Sequence, residues 1–213
     1  MKPLAVIALC ALGAAACSKS AEPPPASTAP PPAATAAAGT SAASGTVTGT
    51  GPAPGSTGAV VVVLEPKVAR TFPLTGEKPV MDQAGLTFGP ELLLVRTGQP
   101  VEFRNSDDTL HNVRVSHEET RASAFNVAIP TGESYTYTFE RDGFYRVGCD
   151  IHPAMAASIF AASTPYTMLA NSDGTFTFAD VPAGSWTVTL YVNGRKLRKD
   201  VEVTGGVTSV SVE

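Results

Sequence analysis

Between clusters of Gly, Pro, Asn and Asp the chain repeats short apolar runs, too brief for helices and spaced as strands are. The runs are Ala59–Leu64, Leu92–Val95, His111–Val115, Ser134–Phe139, Phe144–Val147, Ala157–Ala161, Trp186–Val192, Val201–Val203 and Val207–Val212. None sustains a 3.6-residue period. In Ser134–Phe139 the alternation is strict, with Tyr135, Tyr137 and Phe139 on one face and Ser134, Thr136 and Thr138 on the other. Many short strands separated by turn signals such as Arg141-Asp142-Gly143 predict an all-β fold of the sandwich or Greek-key type. Only Glu118–Ser123 leaves room for one short helical turn.

The first 45 residues stand apart. Met1-Lys2 is a short basic start, Leu4 to Ala16 is apolar, and Ala14-Ala15-Ala16 places small residues directly before Cys17. This is the anatomy of a secretory leader. With the cysteine at that point it resembles a bacterial lipoprotein signal, although Ala14 stands where such signals usually have Leu. The resemblance implies lipidation of Cys17 after removal of residues 1–16. It also implies an extracytoplasmic protein anchored by its lipid, with Ser18 after the cysteine favouring the outer membrane, facing the periplasm or the cell surface. An ordinary leader cut near Ala16 is the alternative. Residues 17–45 are rich in Ala, Pro, Ser and Thr and lack the apolar surface to offset the entropy of ordering, so they read as a linker.

After residue 45 the chain carries 13 basic and 18 acidic residues, with no clustered basic surface of the kind that phosphate binding needs. Nucleic acid is therefore excluded as a partner. No apolar run beyond the leader approaches the roughly 18 residues of a membrane span. Of the three cysteines, Cys10 leaves with the leader and Cys17 would be capped by lipid, so Cys149 has no partner for a disulfide. An unpaired thiol in an oxidising compartment is either buried as a small hydrophobe or bound to a metal.

Cys149-Asp150-Ile151-His152-Pro153-Ala154-Met155 favours the metal. One tight loop there can aim a thiolate, an imidazole and a thioether at a common point, and His111, at the start of an earlier strand, can supply a second imidazole. Two imidazoles and a thiolate with a weak axial thioether form the donor set of a blue-copper centre. Structural zinc seldom uses Met and recruits more Cys. Singly, His111 reads equally as a strand-end histidine, Cys149 as a core thiol and Met155 as a gap filler; taken jointly with His152, those readings need four coincidences of type and spacing. Asn112 is placed to hydrogen-bond near the Cys149 loop and tighten it. His117, beside Glu118-Glu119, reads as a solvent-facing residue.

The segment from about residue 80 to 162 resembles a cupredoxin of the plastocyanin and amicyanin type. The resemblance is carried by Asn105 to His111-Asn112-Val113, by Cys149, His152 and Met155, by Gly98-Gln99-Pro100-Val101-Glu102-Phe103, and by Pro130-Thr131-Gly132-Glu133 through Phe139. It implies that His111, Cys149, His152 and Met155 hold one type 1 copper ion in a Greek-key sandwich. It also implies a redox partner protein, such as a c-type cytochrome or a dehydrogenase.

A second resemblance covers the chain end. Asp173-Gly174 with the strand Thr175–Phe178, then Pro182-Ala183-Gly184 and Trp186-Thr187-Val188, is similar to the carboxypeptidase regulatory-like sandwich. The opening strands of such a module are matched far upstream, by Gly45–Gly49 and Gly58–Leu64. The expected organisation is a cupredoxin domain, residues 67–162, inserted in or joined to a small sandwich made of residues 46–66 and 163–213. The function expected is a lipid-anchored, non-enzymatic electron carrier. Copper holding or delivery without electron transfer, and a metal-free adhesion or structural module, are the alternatives.

Overall fold

In the computed structural model the chain is described over residues 43–55 and 58–213. Sixteen strands and no helix occur among the described residues. They are β1 (Ser44–Thr50), β2 (Val61–Pro66), β3 (Val80–Ala84), β4 (Thr87–Gly89), β5 (Leu92–Arg96), β6 (Pro100–Asn105), β7 (His111–His117) and β8 (Ser123–Ile129). These are followed by β9 (Ser134–Thr138), β10 (Gly143–Gly148), β11 (Ala156–Ala162), β12 (Thr167–Leu169), β13 (Thr175–Pro182), β14 (Gly184–Val192), β15 (Arg195–Val203) and β16 (Gly206–Ser211).

β3 to β11 form two sheets packed face to face. One has the order β5-β11-β10-β7-β8 and the other β4-β3-β6-β9. Alternation decides what each strand buries: Val113 and Val115 of β7, Tyr145 and Val147 of β10 and Ile159 of β11 meet Phe103 and Met81 from the facing sheet. Each such side chain contributes about 1.5–3 kcal/mol by leaving water. The same parity overturns the reading of His117 as solvent-facing. Two, four and six residues after His111 on one strand stand Val113, Val115 and His117, so all four point inward, and His117 is buried against the Tyr145 ring at 4.9 Å. Gly143 makes room for it: a Cβ there would sit 2.9 Å from His117 Nε2, and its φ of +125° is one that side chains rarely adopt.

Glu118–Ser123 is a hydrogen-bonded turn and not a helical one. Arg121 N bonds His117 O at 2.9 Å, but Arg121 has a φ of 60°, which cannot propagate a right-handed helix, and Ser123 already begins β8.

The remaining strands enclose a second core. β1 lies between β13 and β16, antiparallel to the first and parallel to the second, and β2 lies between β12 and β14, with β15 beyond. Val47, Leu64, Phe176, Trp186, Val188 and Leu190 fill the space between these two sheets. Strands from before residue 67 are thus interior members of sheets completed by strands after residue 166.

The unbroken apolar run Val60–Leu64 has a structural cause: β2 is buried on both faces. Val62 and Leu64 enter the second core, whereas Val61 and Val63 point the other way and pack with Phe160 and Ala162 of β11. Phe144 and Tyr191 complete this third cluster. The ring centroids are 4.7 Å apart for Phe144–Phe160, 4.9 Å for Phe160–Tyr191 and 5.6 Å for Phe144–Tyr191. The junction between the two sandwiches is therefore an aromatic core in its own right.

Candidate metal centre

Two loops at one end of the β3–β11 sandwich build the site. The first runs from the end of β6 to the start of β7 and is shaped by Asn105, which is fully buried. Its Nδ2 donates to Thr109 O at 2.9 Å and Ile129 O at 2.7 Å, and its Oδ1 accepts from Asp107 N at 3.0 Å. The loop delivers His111 with its ring wholly buried. Asp107 then reaches forward, Oδ2 to His111 Nε2 at 2.8 Å. The N–H groups of Leu86 and Gly85, with the His111 imidazole, hold the Asp107 carboxyl below the usual carboxylate range. A carboxylate only accepts, so His111 carries its proton on Nε2 and leaves the Nδ1 lone pair free to bind a metal.

The second loop, between β10 and β11, closes on itself. Met155 N donates to His152 O at 2.9 Å, Cys149 N donates to Met155 O at 3.3 Å, and His152 N points at Cys149 Sγ at 3.4 Å. Asn112 ties the two loops together: its Oδ1 accepts from Asp150 N at 2.7 Å and Ile151 N at 3.3 Å and lies 3.3 Å from Cys149 Sγ. Asp150 is held below the usual carboxylate range by Arg114, then by Asn126, with a smaller share from Asn112.

Three donors converge. Cys149 Sγ is 3.9 Å from His111 Nδ1 and 4.0 Å from His152 Nδ1, and the two nitrogens are 2.9 Å apart. The point equidistant from all three lies about 2.1 Å from each, the reach of ordinary metal–nitrogen and metal–thiolate bonds. Met155, at the loop's end, is buried in the same core as Cys149. His111, Cys149 and Met155 are sealed from solvent, and His152 alone is half-exposed. Among the described residues no other His, Cys, Asp or Glu grouping converges in this way.

His117 is not part of the site. Its Nδ1 accepts from Thr120 N at 3.1 Å and its Nε2 donates to Asp142 O at 3.1 Å, which uses both nitrogens. Cys17 lies outside the described residues. Sequence reasoning missed Asp107, although a carboxylate four residues before a loop histidine is a usable signal. It also missed the carboxylate of Asp150, next to the cysteine.

A His-Cys-His triangle, buried at His111 and Cys149 and partly open at His152, with a methionine closing the loop on a two-sheet β-sandwich, defines a copper site of the type 1 class, and copper is the cofactor its donors suit. Residues 77–160 match the family described as copper binding proteins, plastocyanin/azurin family, and this segment is a cupredoxin domain. The match does not extend to β1, β2 or β12–β16. Among solved structures the chain is similar to a reduced point mutant of amicyanin, at 24% identity over 41% of this chain and 85% of that one, with a TM-score of 0.37. An oxidised amicyanin point mutant is 25% identical over 39% and 81%, with a TM-score of 0.36. A Cu(I) amicyanin point mutant is 20% identical over 47% and 97%, with a TM-score of 0.37. A search of curated proteins found no match.

Proposed function

We propose that the protein is a one-electron carrier of the cell envelope, held to a membrane by lipid on Cys17, that exchanges electrons with a redox partner protein through the edge of His152. The observation that carries this reading is the asymmetry of burial: two of the converging donors, His111 and Cys149, are sealed, as is Met155, and the third, His152, is partly exposed and flanked by exposed Ile151, Pro153 and Ala154. Leu110 and Leu86, also exposed, belong to the segments that hold His111 and Asp107 at the same end. Copper bound in the triangle supplies a Cu(II)/Cu(I) couple. The chain's own contribution is to hold Cys149, His111 and His152 in one arrangement through Asn105, Asn112 and Asp107, so that neither oxidation state demands rearrangement. A shallow apolar rim suits a brief encounter, and redox pairs typically bury less than about 1,200 Å².

The reading includes a nested organisation, with the cupredoxin domain of residues 67–162 interrupting a regulatory-like sandwich made of 46–66 and 163–213. The pairing of β1 with β13 and β16, and of β2 with β12 and β14, supports it.

The test is copper reconstitution of the full chain. An intense blue absorption and a reversible voltammetric wave are expected. Facile copper loss to a chelator with no reversible wave would instead mark a copper-holding or delivery protein. For the anchor, Cys17→Ala should move the protein from the membrane to the soluble fraction, because acyl chains would supply the membrane affinity.

A further inference from the structure

Asp150 follows the Cys149 donor directly, yet its carboxylate turns back to the strands beneath the loop. Its Oδ1 accepts from Arg114 Nε at 2.7 Å, and its Oδ2 accepts from Asn126 Nδ2 at 3.0 Å and Asn112 Nδ2 at 3.1 Å. The second N–H of Asn112 donates to Asn126 Oδ1 at 2.8 Å. Both hydrogens of the Asn112 amide are therefore used on one side, and its oxygen faces the opposite way, toward the backbone N–H groups of Asp150 and Ile151.

The oxygen and nitrogen of a side-chain amide are nearly the same size, so shape alone does not choose between an amide and its flipped form. Charge does choose here. A flip would set the Asn112 NH₂ against two backbone N–H donors and its oxygen against the Asp150 carboxylate. One residue thus grips the Asn112 amide at both ends, by its main-chain N–H and by its carboxylate. Arg114, half-exposed on the same sheet face, keeps that carboxylate turned inward.

We infer that Asp150 is a positioning residue of the copper site, fixing the Asn112 amide in the one orientation that pins the main chain of residues 150 and 151 between the Cys149 and His152 donors. This rests on the copper reading of the site and adds the group that sets the geometry of its loop. Asp150 touches no reacting atom, and its action runs through Asn112.

The experiment uses the full chain and two readouts. In the metal-free protein, amide hydrogen exchange at Asp150 and Ile151 is followed by NMR; in the copper-loaded protein, copper release to a chelator and the reduction potential are measured. Asp150→Ala should speed exchange at those two amides about tenfold, leave Leu190 in β14 unchanged, hasten copper release severalfold and shift the potential. Asp150→Asn, which keeps an acceptor oxygen without the charge, should recover most of the protection. In an Asn112→Ala background, Asp150→Ala should add nothing to either readout. Equal effects in both backgrounds, or unchanged exchange in Asp150→Ala, would overturn the inference. Should Asn112→Ala not fold, the two Asp150 variants decide: unchanged exchange in Asp150→Ala, or no recovery in Asp150→Asn, overturns the inference. Failure of the wild type to bind copper would overturn the copper reading alone, because the exchange measurement needs no metal.

Discussion

Asp107 Oδ2 lies 2.8 Å from His111 Nε2, and the same carboxylate accepts the N–H groups of Gly85 and Leu86. The turn between β3 and β4 is thereby tied to a donor on β7 in the facing sheet. The tautomer of a metal-binding histidine is set by whatever its second nitrogen touches, and here that group is an aspartate held from two directions.

Asp107→Ala should therefore lower copper affinity about 10- to 100-fold, the usual cost of losing such a partner. Competition with a chelator of known affinity measures it. An unchanged affinity would mean that His111 is oriented by packing alone.

Cys149→Ser should abolish the blue band while leaving the β fold, because only the thiolate provides the charge-transfer donor; visible and far-ultraviolet spectra report the two separately. Met155→Leu should keep the colour and raise the potential, since a weak donor to Cu(II) is lost. A lowered potential would argue against Met155 as the axial ligand.

At the junction, Phe160→Ala should cost about 3–5 kcal/mol by leaving a cavity among Phe144, Tyr191, Val61 and Val63. Chemical denaturation followed by Trp186 emission and by the blue band should shift in both signals together. A shift in one alone would show that the two cores unfold separately.

Burial of the Tyr191 phenol, with Glu65 next in effect, raises its pKa above the ordinary value. The fold thus favours the neutral phenol. Its contribution to stability is complete below about pH 10 and is lost as pH rises through the higher folded value. Tyr191→Phe should remove that part of the alkaline decline. Parallel stability curves for the variant and the wild type between pH 9 and about 11 would contradict this.

Ala154→Glu should slow electron exchange with the partner severalfold and change the spectrum little, by setting a charge on the rim beside His152. An unchanged rate would move the exit away from this edge.

Much of this was legible in the chain itself. The Cys149–Met155 block announces a metal because its donors are local, and the run Val60–Leu64 announces a strand because β2 is covered on both faces. The spacing of Asp107 and His111 hints at the pair, but the orientation of Asp107 was not legible, because it depends on Gly85 and Leu86, some twenty residues earlier in the turn between β3 and β4. His117 was misread from its acidic neighbours. Counting in twos from His111 gives its true side, a parity that the flanking Glu118 and Glu119 obscure. β3 and β8 went unread because neither carries a strict alternation or an apolar run of four: Asp82-Gln83 follow Val80-Met81, and Asn126 parts Ala124-Phe125 from Val127–Ile129.

Two domains in one chain ordinarily keep some freedom to swing unless their interface is large and apolar. Here Phe144 and Phe160 stand on β10 and β11, the two strands from which the copper loop springs, and both rings are wedged against Tyr191 and Val61 of the other sandwich. The stem of the loop is thus braced by the other sandwich. Among the described residues, the edge of His152 would be offered to a partner on a frame that both sandwiches brace.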